Sequence, residues 1–190
     1  MPIPLGVLAV AGAGAAGGGG SFDLLETTVL GTAATSVSFT GLGSYSAYKH
    51  LQIRAVIRGN SGGNSSAGFH IRLNSDTGNN YAWHRLLGNG SGVFSDGFAS
   101  QSDSQMFYGA ASGVTANIFG AGIIDILDFN NTSKNTTIRA LGGVYTGSDN
   151  NVTLNSGLWN NTAAVTTINL RFPDLTGIAA NSRFSLYGIK

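Results

Sequence analysis

The sequence predicts an all-β domain: a two-sheet β-sandwich of jelly-roll type, with about ten strands and an extended N-terminal arm. Two observations support this class. The 190 residues include 29 Gly and a single Glu, Glu26, so helix formers are scarce and turn formers abundant. Apolar residues recur with a period of two along several segments, with turn-forming clusters between them, which is typical of strands in a sandwich.

The clearest strand in the first half covers residues 51–58. Leu51, Ile53, Ala55 and Ile57 alternate with a second set that includes both arginines of the segment. A period of two over this length places one side of a strand in a core and the other side toward solvent or a neighbour.

The C-terminal strand, 183–189, is the one on which we expect the fold to depend. Phe184 and Leu186 alternate with Ser185 and Tyr187. We expect Phe184, Leu186 and Ile189 to close a sheet, with Phe184 and Leu186 between the two layers.

The remaining segments read as strands joined by polar turns, with longer loops predicted at 59–66 and 88–114. Loops of this length are often functional or ordered by a partner. The other predicted strands are 24–30, 36–40, 69–73, 81–87, a short strand near 105–108, 118–129, 134–141, 152–159 and 165–171.

Residues 1–20 form a separate unit, an apolar Gly/Ala-rich arm ahead of the sandwich domain at 21–190. The arm has no charged side chain, and its apolar residues are expected to anchor the chain to a partner. A disordered terminus is the plainer alternative, but such tails are usually polar. The anchoring candidates are Ile3, Leu5, Val7, Leu8 and Val10.

Three other interpretations of the arm fit less well. A secretory signal normally has a positively charged residue before its apolar run, and none is present here. The apolar part is shorter than the ~20 residues that cross a bilayer, so we expect no membrane partner. The G-x-G-x-x-G pattern at 12–17 is followed by more glycines and not by a helix, which a dinucleotide site requires.

Composition also bounds the chemistry. There is no cysteine, so disulfides and thiolate metal sites are excluded. The net charge is +1 without any basic run, which gives no case for nucleic acid. His50, His70 and His84 show no metal-ligand spacing, and the acids near Asp125 match no calcium loop. We therefore predict no enzymatic activity, no metal and no cofactor.

Three aromatic residues are candidates for a recognition surface. Tyr81, Trp83 and Trp159 could stack against a sugar, or they could belong to the core or a subunit interface. We favour the core or interface interpretation, and keep glycan binding as the alternative.

Several motifs carry a resemblance. Residues 157–168 read Gly-Leu-Trp-Asn-Asn-Thr-Ala-Ala-Val-Thr-Thr-Ile, the chain ends Leu-Tyr-Gly-Ile-Lys, and residues 80–91 fit the same pattern. Over 22–190 the chain resembles a group of tailed-phage virion proteins that serve as capsid decoration (cement) proteins, head fibres or tail components. The resemblance implies a structural virion protein, foremost a decoration protein. Its partners would be the major capsid protein or tail proteins and further copies of itself, as a homotrimer. The alternative is a tail or head-fibre component that binds host-surface glycans.

Overall fold

The structure is a computed structural model that describes residues 21–190. The predicted arm and its five anchoring side chains lie outside the described residues. Twelve strands and one short 3-10 turn at Leu42–Tyr45 make up the fold. The strands are β1 Phe22–Val29, β2 Val37–Thr40, β3 His50–Ile57, β4 Ser66–Leu73, β5 Tyr81–Gly88, β6 Val93–Gln101, β7 Ser104–Ala110, β8 Gly120–Leu127, β9 Thr136–Tyr145, β10 Asn150–Trp159, β11 Thr167–Arg171 and β12 Arg183–Ile189.

Two antiparallel sheets form the sandwich. The larger sheet has eight strands in the order β1-β12-β3-β8-β9-β10-β5-β6, and the smaller has four in the order β2-β11-β4-β7. The predicted all-β, two-sheet class is thus confirmed. The sheets are unequal in width: β7 packs over β9 and β10, so β5 and β6 extend past the edge of the smaller sheet.

The core lies between the sheets and is rich in aromatic and β-branched residues. Phe69 of β4 is at its centre, with ring centroids 5.5 Å from Phe107, 5.0 Å from Phe172 and 6.1 Å from Phe184. Phe107 lies so close to the larger sheet that a Cβ on Gly142 would sit 2.5 Å from its ring. A side chain there would push the layers apart, so this position needs glycine.

The C-terminal strand has the predicted role. β12 pairs with β1 on one side and β3 on the other, and Phe184 and Leu186 are completely buried. Ile189, also predicted to close the sheet, is half-buried opposite Phe22.

The prediction for 88–114 was wrong in part. This segment holds two full strands, β6 and β7, where the sequence indicated loops and one short strand. The alternation signal failed because β6 is exposed along most of its length and β7 is buried along nearly all of its length. A strand shows period two only when one side is buried and the other is not.

Candidate interaction surface

The structure places Tyr81 and Trp159 in the core, each with 1% of its surface exposed. The Tyr81 hydroxyl accepts from the backbone N–H of Leu73 at 2.9 Å, and burial raises the pKa of Tyr81 to about 12. The Trp159 Nε1–H donates to Asp76 at 2.8 Å, and this bond holds the pKa of Asp76 below its usual range. Neither ring offers a free face, so both belong to the core, as favoured above, and do not form a sugar platform.

Trp83 is also covered, 6% exposed, but by a residue that is itself open to solvent. Phe98 of β6 lies on the Trp83 ring at a centroid distance of 4.5 Å and is 42% exposed. Beside them Arg85 donates from Nε and Nη2 to Asp96 at 2.8 Å each and also contacts the Tyr108 hydroxyl. The exposed aromatic of this region is therefore Phe98, together with Phe94. Sequence reasoning missed both because their strand was predicted as a loop.

The most unusual surface is the outer face of the eight-stranded sheet, the side turned away from the smaller sheet. Among residues 21–190, fourteen large apolar side chains are exposed. The strand register places twelve of them on this face, all except Phe94 and Phe98. A solvated sheet face normally carries polar residues, so this face departs from the usual alternation.

Two adjacent cross-strand rows concentrate these side chains on one part of the outer face. One row runs Val56, Ala121, Gly143, Val152, Gly88, Val93 over β3, β8, β9, β10, β5 and β6. The next runs Ile123, Leu141, Leu154, Leu86, Ser95 over β8, β9, β10, β5 and β6. A shallow groove of about 660 Å³ lies along their β3–β10 side. The apolar side chains of the two rows are called here the outer apolar band: Val56, Leu86, Val93, Ala121, Ile123, Leu141, Val152 and Leu154.

Strand β10 shows that this arrangement is built into the register. It points polar Asn151, Thr153 and Asn155 inward, where each is at most 5% exposed, and apolar Val152 and Leu154 outward, at 64% and 54%. Each of the three residues makes a hydrogen bond: Asn155 Nδ2 donates to the Gln105 carbonyl at 2.9 Å, Asn151 Nδ2 to Asp149 at 2.9 Å, and Thr153 Oγ1 to the Gly142 carbonyl at 3.3 Å. Asn155 Oδ1 is buried without a partner among the described residues. A one-residue register shift would reverse both sets.

A polar row borders the band and is satisfied within the chain. Gln52 donates to Asp125 at 2.8 Å, and Arg139 Nε donates to the other oxygen of Asp125 at 2.8 Å. Arg54 Nε donates to Gln52 at 2.9 Å, and its guanidinium lies 4.5 Å from the centre of the Tyr187 ring. These three polar side chains and Asp125 thus have partners on their own face.

A second charge cluster lies on the smaller sheet. Asp103 contacts His70 Nδ1 at 2.8 Å, Arg171 at 2.9 Å and Arg72 at 3.5 Å. Burial alone would raise the pKa of Asp103, but the His70 hydrogen bond and the neighbouring cations outweigh it and lower that pKa. The cluster joins β4 and β11 to the turn before β7.

The other predicted titratable positions are dispersed. The backbone N–H of Asp128 donates to His50 Nδ1 at 2.9 Å, and His84 lies on the outer face of β5. Within residues 21–190, no three His, Asp or Glu side chains are grouped so that they could hold a metal ion. Residues 21–190 contain no helix that is long and apolar enough to cross a membrane.

Comparisons with known proteins add little. No protein-family model matches the chain, and no curated protein matches it. Among solved structures, the CBM40 of the Ruminococcus gnavus IT-sialidase, bound to α2,3-sialyllactose, aligns at 10% identity over 85% of this chain and 91% of that one. The TM-score of this alignment is 0.26, and the likeness therefore carries no argument about function. The outer apolar band remains the surface of the described residues with the strongest case for a partner.

Proposed function

We propose that this chain is a non-enzymatic structural protein of a tailed-phage virion, a capsid decoration or cement protein held to the particle by its N-terminal arm at 1–20. The virion context comes from the resemblance of 22–190 to that group of proteins. The role of the arm comes from its charge-free, apolar composition. The homotrimer and the major capsid protein as a partner come from the resemblance.

The observation that carries the proposal is the outer apolar band. The whole outer face, of which the band is one part, measures roughly 34 by 23 Å, about 800 Å², because eight strands lie about 4.8 Å apart and present some seven residues each. A single partner in a standard protein–protein interface buries about 800 Å². Large apolar patches on a soluble protein generally mark surfaces that another molecule covers. A structural role in an assembly accounts for such a face.

A second candidate function is a tail or head-fibre component that binds host-surface glycans. The observation in its favour is the exposed pair Phe94 and Phe98 beside the Arg85–Asp96 ion pair, since aromatic faces next to hydrogen-bonding side chains suit sugar rings. Glycan-array binding that is lost in Phe98→Ala, with the fold retained, would favour this candidate.

Particles of the phage that encodes the chain provide the main test. Quantitative mass spectrometry of purified virions should find copies in proportion to the shell, and a few copies per particle would instead favour the tail or fibre role. Deleting residues 1–20 should leave a folded domain that no longer joins particles. Wild-type occupancy by the truncated chain would show that the arm is not the anchor.

A further inference from the structure

The outer apolar band has no cover within the described part of the chain. We propose that it packs against the same band of a second copy, forming a two-fold, sheet-on-sheet dimer. The inference concerns contacts between copies of this chain and does not depend on the virion role.

The band is centred on one strand. Seven of its eight side chains lie on β8, β9, β10, β5 and β6, and β10 is the middle strand of these five; the eighth, Val56, lies on β3, three strands from β10. A two-fold axis that runs parallel to the strands over β10 lays the two bands directly on each other. This is the aligned packing found in β-sandwiches, with the facing sheets about 10 Å apart.

Register then decides which side chains meet. Val152 and Leu154 of β10 face their own copies across the axis. Leu141, one strand to one side, faces Leu86, one strand to the other. In the neighbouring row Gly143 faces Gly88, which leaves a hollow for the larger side chains around it.

The charges of the outer face fit this arrangement. Arg54 lies three strands from β10, while the partner's sheet ends at its β6, two strands from the axis. Arg54 therefore projects past the partner's edge into solvent, and Arg183, one strand further out, does the same. In the polar row Arg139 faces His84, and Asp125 faces Gly97. No two permanently charged side chains of the same sign therefore face each other. The arginines that lie outside the overlap stay in solvent and need no carboxylate from the partner.

The overlap sets the expected strength. Five of the eight strands overlap, so each copy buries roughly five-eighths of its ~800 Å² outer face, about 1,000 Å² for the pair. That area is below the ~1,200–2,000 Å² of specific, stable interfaces and falls among weak, transient ones, so we expect a reversible dimer in the micromolar range. An isologous contact of this kind yields a dimer, in contrast to the trimer that the resemblance implies.

Sedimentation equilibrium of the full chain from about 1 to 200 µM tests the proposal. The wild type should fit a monomer–dimer equilibrium. Leu154→Lys puts two ammonium groups at the axis, and burying them should weaken association by about 100-fold or more. The matched control is Thr40→Lys, an exposed position on the smaller sheet, which should associate like wild type. Circular dichroism melts should show that both variants fold.

Chemical cross-linking gives an independent readout, because the chain has no native cysteine. Leu154→Cys should give covalent dimers with a short bis-maleimide reagent, and Thr40→Cys should not. Three results would overturn the proposal: a monomer over the whole concentration range, a trimer, or a dimer that Leu154→Lys leaves unchanged.

Discussion

Replacing Leu186 by Ala tests the role of the C-terminal strand in the fold. Leu186 is completely buried on β12, opposite Ile53 of β3 and Glu26 of β1. Shortening this side chain leaves a cavity in the core between the two sheets. Such cavities lower the unfolding free energy by ~2–5 kcal/mol. For a domain of 150–250 residues each kcal/mol lowers the Tm by about 2–4 °C, so we expect a drop of about 4–20 °C.

Thermal and urea unfolding followed by circular dichroism measure this loss, and the chain supplies a matched control. Leu154→Ala makes the same chemical change at a side chain that is 54% exposed on the outer face. At low protein concentration it should alter the unfolding free energy by only about 0.5 kcal/mol. If Leu186→Ala melts within a degree or two of wild type, or no lower than Leu154→Ala, the central position assigned to β12 is wrong.

Two further predictions concern the C-terminal strand as a whole and the charge cluster around Asp103. Truncation after Asn181 removes β12, so β1 loses its only neighbour among the described strands. We expect no cooperative melting transition, and a soluble, cooperatively melting truncated chain would show that the strand is dispensable. Asp103→Asn tests the buried charge cluster. Because the folded state lowers the pKa of Asp103, its carboxylate stabilises the fold at pH values above the unfolded pKa of about 3.9, and this contribution is lost as the pH falls through the folded pKa. At pH 7 the variant should have a smaller unfolding free energy than the wild type. Its urea midpoint should change less with pH between about pH 5 and 2. A midpoint that varies with pH as much as in the wild type would count against the cluster.

The sequence was informative where one side of a strand is buried and the other is open. β3 and β12 alternate in sequence, and their inward apolar residues were predicted correctly, although Gln52 and Ser185 on the outer side are also buried. β6 and β7 were not predicted as full strands, because β6 extends past the smaller sheet and is exposed, and β7, the edge strand of the smaller sheet, is buried along nearly all of its length. Their burial depends on the widths of the two sheets, a tertiary property that local periodicity does not encode.

The outer apolar band could not be found from the sequence for a related reason. In β10 the outward residues Val152 and Leu154 alternate with Thr153 and Asn155, which is the pattern of an ordinary half-buried strand with its apolar side inward. The structure reverses that assignment, because Trp159 shares the inward side with the polar residues and is fully buried. The one available signal was this aromatic residue on the otherwise polar side of the strand.

The central claim is that the outer apolar band is covered in the working assembly. For the virion role proposed above, a density map of the intact particle, at a resolution that separates β-strands, tests it most directly. We expect copies of the chain over the shell, each with the outer face of its eight-stranded sheet packed against another protein surface. A map in which the chain is present with that face open to solvent, or particles that lack the chain, would contradict the account.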